Sequence, residues 1–212
     1  MKPAAAPAHR ALIGTRVRLE PLDPERHADD LLAAAGGDPR LWDYLPYGPF
    51  AHAGELRAWL SERAESTDPL FLAVIDGARG RAGGVVSYLR MAPEHGSIEI
   101  GHIWFGAALQ RTPAATETVY LLARHAFDDL GNRRLEWKCD AANARSRRAA
   151  ERFGFTYEGV FRQHMIVKGR NRDTAWFSLL DSEWPAAQAA FEAWLRPDNF
   201  DADGRQRSAL RA

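Results

Sequence analysis

The chain has 212 residues, enough for one domain with a core of its own, and its 46% apolar and 26% charged residues are ordinary for a globular protein. Its 28 basic residues balance 28 acidic ones, so bulk charge gives no reason to expect nucleic acid or an anionic membrane as a partner. The single cysteine, Cys139, excludes an internal disulfide framework and a cysteine-rich metal site, and no metal is expected.

No apolar run approaches the ~20 residues that a membrane helix needs. The opening M-K-P-A-A-A-P-A-H-R lacks the apolar stretch of a secretory signal. It reads as a mobile tail over residues 1–11 of a cytoplasmic protein. Residues 16–21, R-V-R-L-E-P, alternate like a first strand. Asp23 and Pro24 open a helix carrying Leu31, Leu32 and Ala35, which Gly36 and Gly37 stop. An aromatic loop follows at residues 41–50, L-W-D-Y-L-P-Y-G-P-F, then a short helix with Leu56, Trp59 and Leu60 on one face. Residues 71–76, 83–90 and 97–105 are three strand patterns separated by glycine- and proline-bearing turns, spacings that suit antiparallel hairpins.

The clearest helix spans residues 112–130. Thr112 can cap it, Pro113 suits its first turn, and Val119, Leu122, Ala126, Phe127 and Leu130 recur at helical spacing before Gly131. Residues 134–140, R-L-E-W-K-C-D, form a strand, so strand, long helix and strand imply a parallel crossover. A short helix at residues 144–153, two strands at 157–167 and 173–180, and a last helix with Trp184, Phe191 and Trp194 complete the order. The expected fold is α+β: a single domain over residues 12–197 with one mixed, mostly antiparallel sheet flanked by helices. Residues 198–212 read as a second polar tail.

The segment Q-R-T-P-A-A-T-E, residues 110–117, opens the long helix. The first turn of a helix leaves backbone N–H groups unpaired and adds partial positive charge, which together favour an anion. Ala114 and Ala115 let a ligand reach the backbone, Arg111 adds a full charge, and the hydroxyls of Thr112 and Thr116 add donors. Every helix has such an end, so this segment alone also fits an ordinary cap.

Residues 143–159, N-A-R-S-R-R-A-A-E-R-F-G-F-T-Y-E-G, add a second motif. The segment resembles the N-x-x-S-x-x-x-x-x-x-x-G-F-x-x-E-G signature of the GCN5-related N-acetyltransferases (GNAT), and more closely the branch that acetylates ribosomal-protein N-termini. Residues 110–117 fall where that family places its pyrophosphate loop. Gln110, Ala115 and the Thr116-Glu117 pair match that loop; Pro113 stands where the family has a glycine and removes one N–H donor.

The resemblance implies the acyl-CoA N-acyltransferase fold and acetyl-coenzyme A as co-substrate, with a protein N-terminal or small-molecule amine as acceptor. A non-catalytic acyl-CoA sensor is the alternative. It implies a cofactor cleft between strands 97–105 and 134–140, ending at Trp104 and Phe105. Cofactor contacts would come from Gln110, Arg111, Thr112, Ala114, Ala115, Thr116, Asn143 and Ser146. Ser146 would protonate the leaving thiolate, and Asn143 also fits a plain helix cap.

Glu99 is the candidate general base or amine-binding group, since a primary amine must lose a proton before it attacks; a structural salt bridge is the other reading. Strand alternation puts Glu99 on the face opposite Ile98, Ile100 and His102, so Glu99 and His102 are not expected in one site. Gly101 fits a bulge or a packing concession. Trp42, Tyr44 and Tyr47, with Phe50, suit either an aromatic acceptor or a lid, and Asp173 either a cationic amine or a turn. Arg133, Arg134, Arg145, Arg147, Arg148 and Arg152 could form an RNA face, which the zero net charge disfavours. Oligomeric state is open, a homodimer being one option.

Overall fold

The computed structural model describes residues 2–212. Eight strands form one sheet: β1 (Leu12–Ile13), β2 (Val17–Pro21), β3 (Leu70–Asp76), β4 (Arg81–Ala92), β5 (Ser97–Phe105), β6 (Arg134–Asp140), β7 (Thr156–Val167) and β8 (Arg170–Leu180). Five α-helices accompany them: α1 (Pro24–Ala35), α2 (Ala53–Ala64), α3 (Pro113–Arg124), α4 (Ala144–Arg152) and α5 (Trp184–Leu195). The strand order is β1-β2-β3-β4-β5-β6-β8-β7, and β5–β6 is its one parallel junction. This is the mixed, mostly antiparallel α+β architecture expected from the order of turn signals.

The sheet has a core on each face. On one, Ile98, Ile100, Leu135 and Trp137 pack with Leu122 of α3 and Phe191 of α5. On the other, Phe71, Ala73, Val85 and Trp104 pack with Leu31 of α1 and Leu60 of α2. We call these the α3 face and the α1 face.

Helix α3 is fixed at both ends. Thr112 caps it by accepting the Ala115 N–H at 3.2 Å, and Pro113 occupies its first turn. The regular helix stops at Arg124, earlier than the sequence pattern, because His125–Asp129 form a π-helical turn in which the Leu130 N–H reaches the His125 carbonyl at 3.0 Å. Glu117, buried in its middle, accepts the backbone N–H groups of Thr15 (3.1 Å), Arg16 (2.6 Å) and Val17 (2.9 Å). One carboxylate thereby ties the helix to the turn between β1 and β2.

Both segments read as tails lie against the domain. The Ala4 and Ala5 N–H groups donate to the Pro93 and Leu130 carbonyls at 2.9 and 2.8 Å, and Arg10 pairs with Asp129 at 2.9 Å. After Pro197, Phe200 packs edge-on against Trp194, the Trp194 indole donates to Gln206 at 2.9 Å, and Leu210 joins the core of the α3 face. Averaging over a polar stretch hides two apolar residues that each find a pocket.

Candidate active site

The two parallel strands pair only from Ser97↔Arg134 to Ile100↔Trp137. Beyond that point β5 stays bonded to β4 as far as Phe105, and β6 stays bonded to β8 as far as Asp140. Each strand keeps its outer partner and loses its inner one. The result is a wedge with backbone N–H and C=O groups free on both walls, open to whatever can pair with them.

A bulge in β5 shapes the wedge. The β4–β5 register slips between Val85↔Trp104 and Ser87↔Gly101, and His102 takes φ 51. The expected bulge is real but is carried by His102, while Gly101 answers to packing: a Cβ there would stand 2.9 Å from Leu89 Cδ2. The slip also resets the alternation. His102 stacks on Tyr47 and Phe71, which are on the α1 face with Glu99's cross-strand partner Leu89. Glu99 and His102 therefore share a face, contrary to the simple period-two expectation, because one residue of left-handed backbone shifts the count by one.

At the mouth of the wedge, the start of α3 lies beside the end of β5. Gln110 donates its side-chain amide to the Phe105 carbonyl at 2.8 Å, joining the two. Arg111 is exposed, with φ 61 and no side-chain partner among the described residues. The Ala114 N–H is likewise unpaired among them. The two threonines differ in what they have left to give, Thr112 being committed and Thr116 buried with its proton unassigned. The Thr112 hydroxyl donates to the Leu109 carbonyl at 2.6 Å while it caps the helix, and buried Thr116 accepts from Arg152 at 3.1 Å. Among the described residues, the groups left free at this end are the Arg111 side chain and the Ala114 N–H.

On the α3 face, Asn143 caps α4 by accepting the Ser146 N–H at 3.1 Å, which leaves its side-chain N–H₂ available. The Ser146 hydroxyl accepts from the Trp137 indole at 2.9 Å and keeps its own proton to give. Cys139 is buried, and burial pushes its thiol up, which suits packing and not nucleophilic attack.

The α1 face holds the charge. Glu99, 3% exposed, receives Arg90 at 2.8 Å and Lys138 at 3.0 Å, both on Oε2. Lys138 also pairs with Glu136 at 2.6 Å and lies 3.7 Å from the Trp176 ring centre. Arg134 joins Glu136 to Glu158 at 2.7 and 2.6 Å. Burial works against the charged form of Glu136, but hydrogen bonds from Lys138 and Arg134 hold its carboxyl below the usual range. The Arg134 guanidinium draws Glu158 down to about 2. Glu99 therefore sits within an ion-pair ladder that runs from Arg90 to Glu158, with only Oε1 uncommitted.

Above it sits the aromatic loop. Trp42 is buried and packs against Tyr47, Phe50 and Trp104, so Trp42 and Tyr47 belong to an aromatic cluster into which Trp104 turns its indole. Of these two site candidates, Trp104 can offer a cofactor its main chain only, and Phe105 gives its carbonyl to Gln110. Tyr44 is 41% exposed and reaches the Ala142 carbonyl at 3.4 Å. Burial, with the charges of Arg63, Arg90 and Arg172, lowers His102 to about 4, so it is neutral at pH 7. Asp173 accepts the Gln163 N–H and the Asn171 amide, a turn role.

Residues 16–156 match the family model described as the acetyltransferase (GNAT) domain. The chain belongs to the GNAT acetyltransferase family. A crystal structure of a GCN5-related N-acetyltransferase from Brucella melitensis superposes with a TM-score of 0.97 at 50% identity, over 99% of this chain and 96% of that one. YdaF of Bacillus subtilis, provisionally named a ribosomal N-acetyltransferase, is 30% identical over 105 residues, 50% of this chain and 57% of its own length. The MccE acetyltransferase, solved with acetyl-CoA and AMP, shares the fold at a TM-score of 0.68 and 21% identity, over 79% of this chain and 93% of that one.

Within this GNAT domain, three residues escaped the sequence reading. Lys138 was legible in principle: R-L-E-W-K-C-D puts Arg134, Glu136, Lys138 and Asp140 on one face, and that face is partly buried. Lys168, which bonds the Trp42 carbonyl at 2.9 Å, and Arg172 carry no such signal. The arginines offered for RNA are mostly engaged within the protein: Arg134 with carboxylates, Arg147 with Ala141 and Tyr157, and Arg152 with Thr116 and Trp194. No helix among the described residues is long and apolar enough to cross a membrane.

Proposed function

We propose that the chain transfers an acetyl group from acetyl-coenzyme A to a primary amine, by direct attack with both substrates bound. The observation that carries this reading is the wedge between β5 and β6. Its unpaired walls run from the start of α3 to the bulge at His102. The residues at hand fit the cofactor. Arg111 and the Ala114 N–H would hold its phosphates, and the strand edges and the Asn143 amide its arm. The cofactor supplies an activated acyl group.

On the α1 face, Oε1 of Glu99 accepts the proton that the ammonium must shed, directly or through water. Amide donors of β5 steady the oxyanion. On the α3 face, Ser146 passes its hydroxyl proton to the departing thiolate. Glu99 and Ser146 meet only through the wedge. The name given to YdaF supports a protein N-terminal amine, and the short aromatic loop is equally compatible with a small amine.

The test is acetylation of an amine and peptide panel by mass spectrometry, beside the thermal shift given by acetyl-CoA. At ~100 times its dissociation constant a ligand adds about 2.7 kcal/mol. Asn143→Ala should weaken that shift, and Glu99→Gln should keep it while lowering kcat. A shift without any product would support the non-catalytic sensor. No shift in wild type, with none regained in Pro113→Gly, would remove the cofactor assignment.

A further inference from the structure

We propose that Arg172 selects the acceptor, and that this acceptor is a primary amine that also carries a carboxylate; the inference rests on the amine-acetylation reading above. Arg172 lies on β8, two residues before Thr174, which pairs with Asp140 at the open end of β6. It is half-buried, and its Nε is buried without a hydrogen-bond partner. Among the described residues no carboxylate lies within ion-pair distance of its guanidinium.

That isolation is unusual on this face. Lys138 has Glu99 and Glu136, Arg134 has Glu136 and Glu158, and Arg90 has Glu99. Neighbouring carboxylates are engaged elsewhere: Asp173 takes the Gln163 N–H, and Asp140 takes the Ala142 N–H. A guanidinium Nε shielded from water without an acceptor is a donor left unsatisfied, which an incoming anion would satisfy.

The placement says which anion. Asp173, its neighbour, accepts the Ala141 N–H at 2.8 Å just beyond the end of β6, so Arg172 stands beside the open end of the wedge. By strand alternation Arg172 shares the α1 face with Trp176 and Lys138, opposite the α3 face that carries Asn143 and Ser146. An anion on Arg172 therefore belongs to the acceptor. The Nε and one Nη of a guanidinium match the two oxygens of a carboxylate. Lys168, bonded to the Trp42 carbonyl, joins the β7–β8 hairpin to the aromatic loop and bounds this space. Arg63, Arg90 and Arg172 together make the field at His102 positive, which also favours loss of a proton from an arriving ammonium.

The experiment compares acceptors that differ only in the carboxylate, at saturating acetyl-CoA. Phenylalanine is set against phenylalaninamide, and a peptide beginning Ala-Asp against one beginning Ala-Asn; the first pair reports a free amino acid, the second an acidic N-terminus. We expect kcat/KM to favour the carboxylate by about 10- to 100-fold in at least one pair, as a buried charge-assisted hydrogen bond provides. Arg172→Gln should erase the preference through KM, leave the amide substrates and the acetyl-CoA thermal shift unchanged, and Arg172→Lys should restore part of it. Equal use of both members by wild type, or loss of the acetyl-CoA shift in Arg172→Gln, overturns the inference.

Titration of N-acetylphenylalanine and its amide into the CoA-bound protein separates the two proposals should no acceptor turn over. Carboxylate-dependent binding that vanishes in Arg172→Gln upholds the role of Arg172 while amine acetylation falls. Equal or absent binding of both overturns it.

Discussion

Replacing Glu117 should unseat α3 without touching any residue that contacts substrate. Its carboxylate accepts three backbone N–H groups at 2.6–3.1 Å, and it is 5% exposed. A hydrogen bond to a charged group contributes about 1.5–3 kcal/mol when buried. The bond from Val17 is buried and counts at about 2–3. Those from Thr15 and Arg16 are partly exposed, can turn to water, and count at roughly 0.5–1 each. Glu117→Ala should therefore cost about 3–5 kcal/mol. At ~2–4 °C per kcal/mol for a domain of this size, the fall in Tm is about 10 °C. Glu117→Gln keeps the shape but sets an N–H₂ against an N–H, and should cost about half as much. Gly14→Ala approaches the same carboxylate from the other side, where a Cβ would lie 2.7 Å from Oε2, and should move Tm the same way. Urea and thermal unfolding of the three variants give the answer. Losses under about 1 kcal/mol, or a Gln variant equal to wild type, would refute the view that this carboxylate anchors the helix.

Two further outcomes follow from the charges on the α1 face. His102 titrates near 4 when folded and near 6.5 when unfolded, so the native state binds fewer protons between those values and stability is lost as pH falls through that window. The loss at pH 4 is on the order of 3 kcal/mol. His102→Asn, which tolerates the left-handed backbone, should flatten the pH 4–6.5 slope of urea stability relative to wild type; an unchanged slope would count against it. Lys138→Met leaves Glu99 and Glu136, paired in register, without the cation between them, and should destabilise by about 3–5 kcal/mol in urea unfolding, partly recovered by adding Glu136→Gln.

The fold was readable because its signals are local. Glycine and proline turns delimit each strand, Thr112 and Pro113 open α3, and the strand–helix–strand run over residues 97–140 dictates a parallel pair. What escaped depends on pairing across strands. Nothing in the letters E-I-G-H says that a histidine takes positive φ, yet that one residue turns His102 toward Glu99. Nor does the sequence of β5 reveal that Glu99 meets Lys138, since the partner arrives from β6 after a helix. Thr112 and Thr116 looked like phosphate donors because they stand in the first turn. The Thr112 hydroxyl is drawn off by Leu109 and Ala115, and Thr116 is buried against Arg152, contacts visible only once the chain has folded. Arg172 gave no signal at all, because an unpaired cation is defined by what is missing around it.

On the reading proposed above, the residues assigned to the cofactor and those assigned to the acceptor lie on opposite faces of the sheet and meet where β5 and β6 part. Such a partition uncouples their histories. Substitutions in the aromatic loop or the β7–β8 hairpin can retune the acceptor while the residues serving the thioester stay as they are, and the reverse holds for α3 and α4. For an engineer, libraries built on either face can be searched separately and then combined, with the few residues along the wedge held constant as the shared joint.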